Sequence, residues 1–262
     1  MENNNEEKIL QDVKNIKSQE TYTLPSKGLV YTETDNIPAS ITLRRMTTKE
    51  DKIRLRNQSE DRIRKDLLQA CIVNEGVDAG KLKLMDANLL LFRLRSISLL
   101  DDTYKVRVFC NNCSTEFIHE LNLSEVPVEF LKEEDLTKLK VELPISKQKI
   151  DFKYPSLNDM INIGDKTKEY FDRFPNAERS DVLYNITTIV YIDKINGNKL
   201  MTEELEEWLD NLDILDSRAV RDIILNIETL YGFQDNIPAK CPKCGQTVMH
   251  GLPITRELFS PS

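Results

Sequence analysis

The chain has 262 residues, 40% hydrophobic and 31% charged, which suits a globular protein of one large domain or two modest ones. No apolar run approaches the roughly 18–20 residues of a membrane span; the greasiest piece, Leu89-Leu90-Leu91-Phe92, runs into Arg93 and Arg95. A formal net charge of −8 argues against general nucleic-acid binding, which draws on a basic surface.

The opening Met1-Glu2-Asn3-Asn4-Asn5-Glu6-Glu7 has neither the basic start nor the apolar centre of a secretory signal. A reduced intracellular setting is therefore expected, where cysteines are kept for metal rather than for disulfides. Residues 1–20 read as a flexible arm with weak helical spacing at Ile9, Leu10, Val13 and Ile16. Tyr22 to Tyr31 reads as extended, with a Pro25-Ser26-Lys27-Gly28 turn inside it. Ile41-Thr42-Leu43-Arg44-Arg45-Met46 alternates like a strand. Thr47-Thr48-Lys49-Glu50 then fits a capping box and predicts a helix. Ile63, Leu67, Ala70 and Cys71 recur at helical spacing after Ser59, and a third, mostly buried helix is expected from Asp86 to Leu99. Val106-Arg107-Val108-Phe109 reads as a strand. Leu139–Leu143 and Lys149–Lys153 suggest a hairpin closed at Pro144 to Ser146. Four helices follow: Leu157 to Phe171, Asp181 to Lys194, Thr202 to Asp210 and Asp216 to Tyr231, with Gly232 as a stop.

Four of the five cysteines lie in two knuckles, Cys110-Asn111-Asn112-Cys113 and Cys241-Pro242-Lys243-Cys244. Two residues between thiols let one tight turn offer both sulfurs to a single ion, and two such turns complete a Cys₄ zinc site. Strand-forming residues flank both, as in a zinc ribbon. Ser114 to Lys240 separates the halves, where a compact ribbon has roughly 15–20 residues. A helical segment is therefore read as inserted into a split ribbon, with the metal closing its base. Disulfides, unpaired thiols and a thioredoxin-like redox pair are the alternatives; neither knuckle lies at a strand-to-helix turn, as the last would require. Four thiolates leave no open position for a catalytic water. His119 lies six residues after Cys113 and His250 six after Cys244, an echo that places them alike on the outgoing strands, either as ordinary strand residues or in place of a cysteine. Cys71 reads as a buried core thiol.

Residues 44–65 hold nine Lys or Arg against four Asp or Glu, and Lys49, Lys52 and Arg56 can share one helix face. That face is either solvated or docks an acidic protein; stacking aromatics for single-stranded nucleic acid are missing from it. The acid-rich stretch from Glu203 to Asp216 is a candidate complement, on this chain or a neighbour. Asp193 to Asn198 fails as a calcium loop because Ile195 takes the third loop position. Eight glycines form no phosphate-binding loop, and two histidines support no nucleophile–base pair, so nothing argues for an enzyme.

Leu24-Pro25-Ser26-Lys27-Gly28, Tyr31, and then Ile41-Thr42-Leu43-Arg44-Arg45-Met46-Thr47-Thr48 with Glu50-Asp51, resemble the opening of the T-even-type bacteriophage baseplate hub proteins. The resemblance covers about the first quarter of the chain. It implies a non-enzymatic tail-assembly protein, in the virion baseplate and in host cytoplasm during assembly, that docks other hub and tail proteins and takes no small-molecule substrate. Leu24, Pro25, Ser26, Lys27, Gly28, Lys49, Lys52 and Arg56 are its expected partner-binding residues. A zinc-ribbon transcription accessory factor, or an assembly chaperone absent from the finished particle, is the competing reading. The expected fold is α+β and mainly helical. It comprises an arm (1–20), a strand–helix docking domain (21–100), a split ribbon (101–122 and 237–254) binding structural Zn²⁺ through Cys110, Cys113, Cys241 and Cys244, and an inserted helical domain with a β-hairpin (123–236).

Overall fold

The computed structural model describes residues 19–175, 179–234 and 236–260. Most of the expected arm lies outside them; its last two residues, Gln19 and Glu20, already belong to a strand. β1 (Gln19–Thr23) pairs antiparallel with β2 (Ser40–Arg44), from Gln19↔Arg44 to Thr23↔Ser40. Alternation in β2 buries Ile41 and Leu43. α1 (Thr48–Arg54) begins at the capping box: the Thr47 N–H donates to Glu50 Oε2 at 2.8 Å, and Thr47 Oγ1 accepts from the Lys49 N–H. α2 (Glu60–Cys71), capped by Ser59, buries Ile63, Leu67, Leu68 and Cys71. α3 (Leu84–Leu99) is apolar nearly all round and sits in the middle of the first core. Its one fully buried cation, Arg95, gives its donors to the carbonyls of Asp101, Thr103 and Leu258, tying α3 to the C-terminal segment.

Two antiparallel hairpins carry the knuckles. β3 (Thr103–Cys110) pairs with β4 (Thr115–Asn122), and β10 (Ile237–Lys240) with β11 (Thr247–His250). Strict alternation in β3 buries Tyr104, Val106, Val108 and Cys110, and the first three join the core built by α2 and α3. Between the halves lie a short pair, β5 (Val128–Glu129) with β9 (Gly232–Phe233), and a three-stranded sheet of β6 (Lys140–Glu142), β7 (Lys149–Phe152) and β8 (Ile192–Ile195). α4 (Leu157–Arg173), α5 (Arg179–Ile189), α6 (Thr202–Asp210) and α7 (Ile214–Glu228) complete this part, whose own core gathers Leu143, Ile150, Phe152, Val220, Ile227 and Tyr231. Leu29, Val30 and Met85 from the N-terminal part pack on that second core. Gly232 has φ +104°, and a side chain there would meet Met85 at about 3 Å, so the two parts touch closely at this point.

Three expectations need correction. The fold is α+β, but eleven short strands in five sheets stand beside the helices among the described residues, so "mainly helical" understates the β content. The helix expected from Asp181 to Lys194 stops at Ile189, and Ile192–Ile195 is the edge strand β8. Ile192 and Ile195 are β-branched and bury their side chains in the second core from this edge, which suits a strand better than a helix. Leu24 to Tyr31 is a run of tight turns rather than an extended segment: Lys27 N–H donates to Leu24 O, Leu29 N–H to Ser26 O and Tyr31 N–H to Gly28 O.

Candidate metal centre

Each knuckle is a strand end followed by a turn that aims two sulfurs inward. Cys110 is the last residue of β3 and Cys241 follows β10 directly. Cys113 and Cys244 lie in the turns, and the residue after each, Ser114 and Gly245, is left-handed at φ +53° and +74°. In the second knuckle the Gly245 N–H donates to Cys241 O at 2.9 Å and the Cys241 N–H to Gln246 O at 2.8 Å, which closes the turn. The four sulfurs lie within 4.8 Å of one another. Two approaches cross between the knuckles: Cys110 Sγ to Cys244 Sγ is 3.7 Å, and Cys113 Sγ to Cys241 Sγ is 3.6 Å. A tetrahedral zinc with Zn–S bonds of about 2.3 Å sets its sulfurs about 3.8 Å apart, while a disulfide needs about 2.0 Å. All five cysteines are free thiols. Cys110 and Cys241 are buried, Cys113 is half-buried and Cys244 is exposed. A hydrogen bond from the Gln246 backbone, helped by the Asn112 side chain, draws the Cys244 thiol down to about 6, toward the thiolate that a metal requires. The donor set and the spacing both fit one tetrahedral, sulfur-loving ion.

The histidine echo has a different outcome. His119 Nδ1 and His250 Nε2 lie 2.8 Å apart, ring on ring edge, and His250 Nδ1 lies 2.9 Å from Gly251 O. A carbonyl only accepts, so His250 carries its proton on Nδ1, its Nε2 accepts, and His119 donates from Nδ1. Burial, then the nearby His250, holds His119 below the ordinary histidine value. The pair joins the β3–β4 and β10–β11 hairpins some distance along the strands from the cysteines, and the metal-ligating cluster found among the described residues contains sulfur alone. Asn112 and Gln246, whose polar groups reach the Cys244 sulfur, escaped the sequence reading; neither carries a spacing signal.

The sequence profile of the family described as T4 bacteriophage base plate protein matches residues 17–259. The chain belongs to that family. No curated protein and no solved structure matches it.

The docking residues expected of this base plate protein divide on inspection. Leu24, Pro25 and Ser26 are buried within the chain itself, which corrects their reading as an exposed contact. The Ser26 N–H donates to Asp86 Oδ1 at 2.9 Å, Pro25 O accepts from the Leu131 N–H at 2.9 Å, and Leu24 N–H reaches Ala39 O. The Leu-Pro-Ser turn is thus a strap joining α3, the N-terminal sheet and the segment after β5. Asp86 is its anchor: fully buried, it also accepts from Tyr31 Oη at 2.7 Å. Only Lys27 and Gly28 of that motif reach solvent, with Lys27 over the Phe130 ring. Lys49, Lys52 and Arg56 are exposed, but Arg56 is paired with Asp66 at 3.1 Å. Arg44, Arg54, Arg62 and Arg64 pair with Glu50, Asp51, Asp165 and Asp61, so much of the basic stretch is neutralised inside the chain. None of these pairs involves the acid-rich stretch from Glu203. Its Asp216 is buried and accepts the Ile145 and Ser146 N–H groups at 2.8 and 2.9 Å. No helix among the described residues is long and apolar enough to cross a membrane.

Proposed function

We propose that this phage baseplate structural protein is a non-enzymatic component of the baseplate hub, present in the virion tail and, during assembly, in host cytoplasm. In this reading a structural Zn²⁺ on Cys110, Cys113, Cys241 and Cys244 closes its split ribbon. The observation that carries the reading is the convergence of four thiols from two distant knuckles at tetrahedral spacing. When bound, the ion supplies a rigid tie and no chemistry, because four sulfurs fill its coordination sphere. The chain's own groups do the rest. β3 and β10 present the sulfurs, the His119–His250 clasp holds the halves together farther along the strands, and the strap at Leu24–Ser26 fixes the insertion to the N-terminal core.

Other hub and tail proteins are the proposed partners, met through Lys27, Gly28, Lys49, Lys52 and Arg56. The outer ribbon face speaks against nucleic acid, since Lys105 and Arg107 are paired with Glu120 and Glu116. Mass spectrometry of purified particles tests the location: presence in tails at a fixed copy number supports the hub role, and absence favours an assembly chaperone. The docking face is tested with Lys49→Glu/Lys52→Glu, which leaves every ion pair named above intact. Weaker copurification with tail proteins at low salt is expected, at unchanged thermal stability and zinc content. Normal incorporation of that variant would reduce the face to solvated surface.

A further inference from the structure

The inserted part carries an open groove of about 540 Å³ between the β6–β7 turn and the helices α6 and α7. Ile145, Trp208 and Leu212 give it an apolar lining, and Ile145 is 51% exposed. The indole N–H of Trp208 donates to Gln148 Oε1 at 2.7 Å, which fixes the ring. Ile214 and Leu215 follow at the start of α7 and are exposed as well. Large apolar side chains gathered in water mark a contact site. The rim has one sign: Glu204, Glu207 and Asp213 are exposed around the groove, and no lysine or arginine lines it. Lys147, in the same turn as Ile145, is exposed outside the lining. An apolar floor with an acidic rim suits an apolar side chain flanked by cations. The face of α1 has that chemistry. Lys49 and Lys52 lie one turn apart, and Leu55, which caps the helix, is 66% exposed. Arg54 and Arg56 pair with Asp51 and Asp66, whereas Lys49 and Lys52 enter no ion pair among the described residues. The two faces belong to different cores: Ile53 of α1 packs in the first, Trp208 and Leu212 on the second.

We propose that these faces meet between two copies of this chain: Lys49, Lys52 and Leu55 of one copy seat in the Trp208 groove of the next. The lysines then face Glu204 and Glu207, and Leu55 covers Ile145 and the indole. The proposal rests on the reading of the lysine face as a docking surface and names its partner. A contact between unlike surfaces is head to tail, and it builds a ring if the rotation closes and an open chain if it does not. The net charge of −8 makes copies repel in general, so attraction is confined to where the opposite faces meet, which sets the orientation.

Analytical ultracentrifugation of the purified full chain tests this. Wild type should exceed the monomer mass by about 100 μM, a concentration beyond the micromolar range of weak specific interfaces. Lys49→Glu/Lys52→Glu and Ile145→Lys/Glu207→Lys should each weaken self-association at least about tenfold, with thermal melting unchanged. The second variant lowers the net negative charge, so a change in general repulsion would move its association the other way. Mixing the two variants should restore association, because each supplies the face that the other lacks. A wild type that stays monomeric at that concentration, self-association untouched by either variant, or a mixture that stays monomeric would overturn the proposal. None of these results decides whether the lysine face docks a different tail protein, which the copurification experiment reads separately.

Discussion

Loss of the metal tie has a magnitude that follows from chain geometry. Cys113 and Cys241 bracket Ser114 to Lys240, and their sulfurs lie 3.6 Å apart. Cross-linking a loop of about 130 residues removes on the order of 5 kcal/mol of chain entropy from the unfolded state. Residual binding of zinc by unfolded thiols lowers the benefit, so about 3–5 kcal/mol is expected. For a chain of this size that corresponds to a fall on the order of 10 °C in melting temperature. The perturbation is Cys110→Ser/Cys113→Ser, which empties one knuckle, compared with chelation of the wild type. The assays are elemental zinc analysis of freshly purified protein and thermal melting. Wild type should carry about one zinc per chain, and the variant none. Both the variant and the chelated wild type should melt lower by similar amounts. Backbone amides of β3, β4, β10 and β11 should lose hydrogen-exchange protection first, while those of α2 and α3, buried in the first core, keep theirs. Cys71→Ser serves as control: burial pushes that thiol up to about 12, it lies away from the sulfur cluster, and zinc content should not change. The reasoning is refuted if the double variant still binds one zinc, or if it loses zinc and melts like wild type.

Three further outcomes follow from charge. Burial lifts the Asp86 carboxyl from 3.8 to about 6. Its contribution is therefore full below pH 4 and lost as pH rises through 6, worth roughly 3 kcal/mol across that window; Asp86→Asn should flatten this part of the stability–pH profile, and an unchanged slope would refute the assignment. Glu50 runs the other way: its hydrogen bond from Arg44, reinforced by Thr47 against the opposing effect of burial, lowers it to about 2. Its stability is present above pH 4.5 and lost on acidification toward 2, and Glu50→Gln should cost about 2–3 kcal/mol at pH 7 by denaturant unfolding. His119 is held below its ordinary value by burial and by His250, so its contribution is full above about pH 6.5 and fades as pH falls. An NMR titration should find its midpoint below that of an exposed histidine.

Local signals determined what local forces decide. The alternation from Tyr104 to Cys110 fixes which face of β3 is buried, because side chains on a strand point to opposite sides. The Thr47–Glu50 box starts α1, the apolar run after Asp86 buries α3, and the two Cys-x-x-Cys spacings mark the only residues that gather as a sulfur cluster among those described. Even the histidine echo was visible as a six-residue offset in both halves. The partners in each relation were not visible. Nothing in Leu24-Pro25-Ser26 says that its turn closes on Asp86, sixty residues away, rather than on another protein; the same exposed-looking motif is buried because α3 supplies a carboxylate there. The two-residue pairing of β5 with β9 is too short to carry a pattern, and Phe233 of β9 packs edge-on to Phe92 of α3, a contact that the sequence does not announce. The helical spacing from Asp181 onward hides β8, which forms because β7 offers an edge to pair with. The basic stretch is partly neutralised because Asp66 and Asp165 come within reach of Arg56 and Arg62. Periodicity and spacing act over a few residues and are written in order along the chain. Which buried polar group meets which, and which charge is left free, depends on contacts that only the packed cores bring together.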